Sequence, residues 1–328
     1  MYNIKKITKI PIISEKIVKT THKVIEWSLH NVCNYDCSYC GNENKIGDRK
    51  WKPLSTYKLY ADKLLKASGP NVWFFITGGE PTLYPNFIEL VTYLKSKGAY
   101  IGLISNGSRT LRWWEECKQA NAIDALYISY HTEKTDDYAH IANVLNTFHN
   151  TSTKTNCFIT HTHETMDRVV NSVNFLKENT ASKIEIKYMN ITTYNLFSKL
   201  TPEQIEYVSK IYYGKKSNKV DSDIPLINQH ENKIRISYDD GSTIDFTGSQ
   251  DLIKKDQNHF LGWHCNINND ALTVDVNLCR RGQTNGCKLS PIVADLDVDN
   301  VEFINDYVIC PYESCHCSAN LYAHKYKK

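Results

Sequence analysis

The stretch NVCNYDCSYCGNEN, residues 31–44, puts Cys33, Cys37 and Cys40 within eight positions of a 328-residue chain that has eleven cysteines in all. A zinc site normally closes with four ligands, and its C-x2-C spacing recurs elsewhere in the chain. Three close thiolates without a fourth instead suit a cubane [4Fe–4S] cluster in which one iron has no protein ligand and is open to a small molecule. Buried structural cysteines are the alternative for such a triplet.

The chain around this stretch narrows the choice. Charged residues make up 23% of it and apolar residues 41%, the composition of an ordinary soluble globular protein. The net charge is +3, with lysines spread along the chain apart from the first 23 residues and the tail HKYKK. Neither a nucleic-acid nor a membrane partner is signalled by that distribution. Apolar runs such as VWFFI are too short to span a bilayer, and no apolar segment followed by a small-residue cleavage site opens the chain. A cytoplasmic location is therefore expected. In a reducing compartment, clustered cysteines are read as metal ligands or catalytic groups before they are read as disulfides.

Short apolar runs recur about every 25 to 30 residues with amphipathic stretches between them, the pattern of βα units whose strands are buried on both faces. Strands are expected near residues 24–29, 72–77, 100–105, 125–130, 156–161 and 184–189. One helix is expected to start at Ser55 as N-cap and to end at Ser68-Gly69-Pro70. A second carries Phe87, Leu90, Val91 and Leu94 on one face and ends at Gly98. A third spans about 164–178, with Val169, Val170, Val173 and Leu176 inward. Six βα units in succession imply an α/β fold whose parallel sheet is either doubly wound or curled into a partial barrel.

After residue 190 the pattern changes to a helix expected at 202–213, a polar stretch at 214–223 and a hairpin in KIRISYDDGSTIDF with Asp240-Gly241 at its turn. The expected organisation is a lead-in (1–23), an α/β domain (24–195), a connecting helix and hairpin (196–260) and a cysteine-rich region (261–328).

The spacing of Cys33, Cys37 and Cys40, with the aromatic Tyr39 directly before the last cysteine, resembles the cluster loop of the radical S-adenosylmethionine (SAM) superfamily. TGGEP (77–81) follows the second strand, where members of this superfamily use such a loop to receive the SAM amino group; ISNG (104–107) ends the third strand, near the ribose. The resemblance covers about residues 24–190 and implies a (β/α)6 partial TIM barrel with its active site at the C-terminal ends of the strands. It further implies that the open iron chelates SAM, whose reductive cleavage gives a 5′-deoxyadenosyl radical that abstracts hydrogen from a substrate. Glu80 would meet the SAM ammonium, and Gly78 and Gly79, followed by Pro81, would let the backbone come close to it. Ser105 and Asn106 are candidates for ribose or carboxylate contacts, and Ser129 and His131 for SAM or substrate contacts at the next strand end. The THTH run at 160–163 offers His161 in the same way. A reductant such as flavodoxin or ferredoxin is implied as a partner. The superfamily's Gly-rich adenine motif is not evident in KIEIKYMN.

Six cysteines crowd the C-terminal region: Cys265, Cys279, Cys287, Cys310, Cys315 and Cys317. The first two are separated as a β-hairpin would separate them, and the last three are close enough to help close a four-thiolate site. This resembles the twitch or SPASM type of extension, which implies a second, auxiliary [4Fe–4S] cluster. The Asp-Gly turn usual in that hairpin is missing from LTVDVNLC, which leaves Cys287 as the alternative to Cys279. A zinc knuckle is the structural alternative.

The expected function is a radical SAM enzyme acting on a small polar metabolite, sugar-like or nucleotide-like. A peptide-modifying maturase is the alternative, disfavoured because only 23 residues precede the first strand. A non-catalytic iron–sulfur electron carrier or zinc protein is the rival from another class.

Overall fold

A computed structural model describes residues 4–10, 23–40, 50–69, 71–161, 165–188, 233–246, 252, 255–265, 271–281, 292–303, 307–310, 313–315 and 325–327. The chain divides into two compact units. One comprises Trp27–Leu59 and Phe74–Ile224, the other Met1–Glu26, Tyr60–Trp73 and Pro225–Lys328.

The elements begin with β1 (Ile4–Ile10), β2 (Val24–Ser28) and α1 (Leu54–Ser68), followed by β3 (Trp73–Thr77), α2 (Phe87–Ser96), β4 (Tyr100–Ser105) and α3 (Leu111–Gln119). Then come β5 (Ala125–His131), α4 (Tyr138–Thr147), β6 (Lys154–His161), α5 (Met166–Asn179) and β7 (Lys183–Tyr188). In the first unit the strands lie in the order β2-β3-β4-β5-β6-β7, each beside its predecessor in sequence. Register is parallel from β4 to β7, with Gly102 opposite Ala125, Ile128 opposite Cys157 and Cys157 opposite Ile184. A doubly wound sheet would reverse direction at a switch point. This order does not, so right-handed crossovers put successive helices on the same face.

Burial explains why these segments form these elements. Phe74, Ile76, Ile101, Leu103, Leu126, Ile128 and Ile159 are sealed within the strands. Helix α2 buries Phe87, Leu90, Val91 and Leu94, the stripe expected from spacing. Helix α3 is capped by Thr110, which accepts the Trp113 N–H at 3.4 Å, and it buries Trp113, Trp114 and Cys117. Helix α4 is capped by Asp137 through the His140 N–H at 2.9 Å. In α5, Val169, Val173 and Leu176 are buried, while Val170 is half-buried at the edge of the stripe. Two expectations are corrected: the lead-in expected before a first strand at residue 24 carries a strand of its own, β1, paired with residues of the C-terminal part, and the start of α1 moves. Helix α1 starts at Leu54, ahead of Ser55, because the Pro53 carbonyl already accepts the Thr56 and Tyr57 N–H groups at 3.0 and 3.2 Å. Among the described residues no helix is long and apolar enough to cross a membrane.

The second unit is antiparallel. Its strands are β8 (Lys233–Tyr238), β9 (Thr243–Phe246), β10 (His264–Cys265), β11 (Ala271–Asp275), β12 (Leu278–Arg281), β13 (Ile292–Asp295), β14 (Val308–Ile309) and β15 (Lys325–Tyr326). One sheet runs β14-β10-β15-β1-β8-β9, while β11, β12 and β13 pair as a meander. The β8–β9 hairpin turns at Asp240-Gly241 as its sequence dictates, with Gly241 at φ 85° and Asp240 accepting the Ser242 N–H at 2.8 Å. Ile236, Phe246, Leu252, Phe260, Trp263 and Cys310 form the core of this unit. The helix expected at 202–213 lies outside the described residues.

Candidate active site

The loop that follows β2 is stitched to the loop that follows β3. The Leu29 N–H donates to the Thr77 carbonyl at 3.1 Å, Gly79 N–H to the His30 carbonyl at 2.7 Å, and Glu80 N–H to the Val32 carbonyl at 2.7 Å. The cysteine loop and TGGEP therefore continue the strand pairing past the sheet. This close approach explains the two glycines. A Cβ on Gly78, whose φ is 127°, would stand 2.4 Å from the His30 oxygen, and one on Gly79 would stand 2.2 Å from the Val32 oxygen. The glycines are expected to let the backbone come close, and in this structure the backbone they admit is that of the cysteine loop.

Glu80 is fully buried. Its Oε1 accepts the Thr82 N–H (3.1 Å), the Thr82 hydroxyl (2.5 Å) and the Ser105 hydroxyl (2.8 Å), while Oε2 accepts the Asn106 N–H (2.7 Å). It also caps the one-turn 3-10 helix Pro81–Leu83, with Pro81 buried at its start. Burial raises the carboxyl pKa, and these neutral donors pull it back only in part. None of the four donors is a cation, and Oε2 keeps capacity for another hydrogen bond.

The β4 end continues the circuit. Ser105 Oγ accepts the Gly107 N–H at 3.0 Å. Asn106 donates from Nδ2 to the Asn34 Oδ1 at 2.9 Å, and Asn34 Nδ2 reaches the Ser108 hydroxyl at 2.9 Å. Asn34 directly follows Cys33, so the first arm of the cysteine loop is moored to this turn.

The second arm is moored to the end of β5. Tyr39 stacks on His131 with ring centroids 5.8 Å apart, and its hydroxyl lies 2.6 Å from His131 Nδ1. Ser38 donates its N–H and its hydroxyl to the Glu133 carboxylate at 3.0 to 3.1 Å. Ser129 is half-buried on β5, opposite Phe158 of β6. The side chain of His161 and residues 162–164 lie outside the described set.

Cys37 is buried, and Cys33 and Cys40 are half-buried; none of the described cysteines forms a disulfide. The Tyr35 N–H donates to Cys33 Sγ at 3.3 Å, and the Cys40 N–H to the Cys37 carbonyl at 3.1 Å. Burial pushes the Cys37 thiol up to about 11, against the Tyr39 hydroxyl, which favours the thiolate. A metal at this loop must therefore displace a proton as it binds. Among the described residues no three His, Cys, Asp or Glu side chains converge on a single metal ion. A cubane makes a different demand, since it takes each thiolate on a separate iron. Three thiols on one braced loop form a donor set of that kind.

His30, in the same loop, is 2% exposed. Its Nδ1 accepts the Val32 N–H at 3.2 Å, which leaves the proton of the neutral ring on Nε2. Nε2 faces the Pro81 carbonyl without a hydrogen bond of normal geometry. Burial lowers the ring's pKa to about 4, so it is neutral in the fold.

In the second unit, Cys310 and Cys315 pack on the same apolar cluster. Cys265 on β10 lies opposite Val308, and the Cys310 N–H donates to the Trp263 carbonyl at 2.7 Å. Cys279 is fully buried in the meander, between Val274 and Ala294, and burial pushes its thiol up to about 12. Cys287 and Cys317 lie outside the described residues.

Sequence reasoning passed over His30, Asn34, Thr82 and Glu133. Thr82 was within reach through Pro81, a residue favoured at the first position of a helical turn. Asn34 and Glu133 gave no local signal, because their partners lie 72 and 95 positions away.

Residues 27–206 match the Radical SAM superfamily. A probable GTP 3′,8-cyclase of Pyrobaculum aerophilum is 30% identical over 121 residues, 37% of this chain and 38% of that protein. An S-adenosylmethionine-dependent nucleotide dehydratase of Selenomonas ruminantium is 32% identical over 83 residues, 24% of this chain and 28% of the relative. The chain thus spans well under half the length of these relatives. Among solved structures, native anSMEcpe with bound AdoMet and Kp18Cys peptide superposes with a TM-score of 0.55 at 13% identity, covering 84% of this chain and 78% of the other. That likeness is one of fold.

Proposed function

The chain belongs to the radical SAM superfamily, and from that premise we propose that it uses a [4Fe–4S] cluster on Cys33, Cys37 and Cys40 to act on a nucleotide-like small molecule. The family implies both the cluster and SAM; a cluster bound there supplies the electron that splits SAM into methionine and a 5′-deoxyadenosyl radical. The observation that carries the reading is the hydrogen-bonded circuit joining the cysteine loop, TGGEP and the Ser105-Asn106 turn at the ends of β2, β3 and β4. Sequential strands with an active site at one end suit a (β/α)6 partial barrel.

The roles of this chain's residues follow from their chemistry. Glu80, an acid buried among neutral donors and with acceptor capacity left on Oε2, meets the SAM ammonium by a charge-assisted bond. Gly78, Gly79 and Pro81 hold that carboxylate against the cysteine loop. Ser105 and Asn106 stand at the ribose end, and Tyr39, Ser129 and His131 line the mouth. In the second unit Cys265, Cys310, Cys315 and Cys317 hold an auxiliary [4Fe–4S] cluster, with Cys279 or Cys287 in reserve. The full burial of Cys279 in the meander weighs toward Cys287 of those two. A flavodoxin or ferredoxin supplies the electron.

The nucleotide-like substrate is favoured by the names of the two relatives, a GTP cyclase and a nucleotide dehydratase. The test is anaerobic reconstitution with iron and sulfide, followed by SAM and dithionite. 5′-Deoxyadenosine is the expected product. Its rate should rise with nucleoside triphosphates or nucleotide sugars, and deuterium on the substrate should appear in it. Stimulation by peptides alone would replace the nucleotide reading by a maturase. Absence of 5′-deoxyadenosine from an iron-loaded protein would leave an electron carrier.

A further inference from the structure

We propose that Glu133 is a positioning residue for the iron–sulfur loop, holding the Cys37–Cys40 arm in place and setting the reduction potential of the cluster it carries. The inference rests on the cluster reading above. Its observation is the clasp between Glu133 and Ser38: both carboxylate oxygens accept the Ser38 N–H, at 3.0 and 3.1 Å, and Oε2 also accepts the Ser38 hydroxyl at 3.0 Å. Ser38 is one of only two residues between Cys37 and Cys40, and the other, Tyr39, is held by His131. Both non-cysteine positions of the C-x2-C arm are thus gripped from the end of β5.

The grip has a rigid base. Thr132, between the two holding residues, is fully buried; its N–H and hydroxyl both donate to the Thr160 carbonyl at 3.1 Å, and the hydroxyl also reaches Thr165 Oγ1 at 2.8 Å. Arg168 donates to the Thr132 carbonyl at 2.9 Å. A carboxylate standing on such a base fixes what it binds to the sheet. Burial tends to raise the Glu133 pKa, and the two Ser38 donors and Lys134 outweigh it, so the group is held below the usual carboxylate range.

Two consequences follow for a bound cluster. The Ser38 N–H is engaged by the carboxylate and is withheld from the thiolates and sulfides. The carboxylate's negative charge, shared in part with Lys134, also stands against Ser38, the residue next to Cys37. Fewer hydrogen bonds to sulfur and more negative charge nearby both lower a cluster's potential. Lys134, 3.3 Å from the same carboxylate, supplies the control: it shares the charge without touching Ser38.

The experiment uses the reconstituted full chain in the absence of SAM and substrate, with two readouts. One is the rate of iron loss to a chelator; the other is the midpoint potential from an EPR-monitored titration. Glu133→Ala should release iron about tenfold faster, the usual scale for losing a partner of a ligand residue, and should raise the potential. Glu133→Gln keeps an acceptor oxygen without the charge, so iron loss should stay within about twofold while the potential still rises. Lys134→Ala should leave iron loss unchanged and move the potential downward. A wild-type potential in Glu133→Gln would overturn the inference even if Glu133→Ala failed to fold. Equal iron loss in Lys134→Ala and Glu133→Ala would also overturn it, reducing Glu133 to a surface ion pair. A wild-type chain that binds no iron would sink the cluster reading along with it.

Discussion

A methyl group on Gly79 would sit 2.2 Å from the Val32 oxygen, a backbone atom that no side-chain rotation can move aside. Gly79→Ala must therefore separate TGGEP from the cysteine loop, and with it the 2.7 Å bonds that Gly79 and Glu80 donate. Iron affinity after reconstitution should fall by about tenfold or more while the circular dichroism stays native, because the break lies past the ends of the strands. Wild-type iron content would reject that account of the glycines. His30 gives a second residue-scale prediction. Its folded pKa is about 4, against an unfolded value of about 6.5, so between those pH values the unfolded chain binds a proton that the folded chain refuses. Stability is complete above pH 6.5 and is lost as the pH falls toward 4, by up to about 3 kcal/mol for this group. Glu80, whose pKa burial raises, works in the opposite direction, so the measurement has to be a difference. Denaturant melts of wild type and His30→Asn from pH 7.5 to 4.5 should converge as the pH falls. Parallel curves would mean that His30 is not held neutral.

At the scale of elements, the β11–β12 hairpin turns through Val276 and Asn277 without the Asp-Gly pair such turns favour. Val276 consequently sits at φ 54°, a left-handed conformation that a β-branched residue adopts only under strain. Val276→Gly should stabilise the protein by about 1 kcal/mol, read as a higher denaturation midpoint with an unchanged slope. A lower midpoint would show that packing of the valine outweighs the strain. The missing Asp-Gly was visible in LTVDVNLC, yet the hairpin forms anyway, because Leu272 and Val274 of β11 and Cys279 of β12 are buried and fix the pairing. Most elements were legible for a similar reason. An apolar run such as WFFIT or a stripe such as Phe87, Leu90, Val91 and Leu94 carries its burial in its own spacing. The start of α1 was not, since Ser55 and Pro53 compete for the first turn and only the carbonyl of Pro53 is aligned with it. In the candidate site the three cysteines and TGGEP were legible as motifs. What these residues do to one another was not: that Glu80 gathers Thr82, Ser105 and Asn106, or that Glu133 binds Ser38, depends on strand ends brought together by the sheet.

For the whole molecule, the decisive question is whether two metal sites are present. Cys33, Cys37 and Cys40 lie in the unit built on parallel strands; Cys265, Cys310 and Cys315 lie in the antiparallel one. Each of these cysteine groups lies within its own unit, so a substitution in one need not dismantle the other. If both hold cubanes, anaerobically reconstituted wild type should contain about eight irons, and Cys265→Ala or Cys310→Ala about four, since each cubane carries four. Reductive cleavage of SAM without substrate should persist in these two variants, while turnover of a nucleotide substrate should fall steeply. Cys33→Ala, Cys37→Ala and Cys40→Ala should show the reverse, with about four irons retained and SAM cleavage abolished. Cys310 also packs in the apolar core with Phe260 and Trp263, so circular dichroism of its variant must match wild type before the iron count is read. Cys265→Ala provides the check, because its strand partners Val308 and Lys325 hold it through backbone rather than through the thiol. An iron count near four in wild type, with one zinc per chain, would replace the auxiliary cluster by a zinc knuckle and leave the site at Cys33, Cys37 and Cys40 intact.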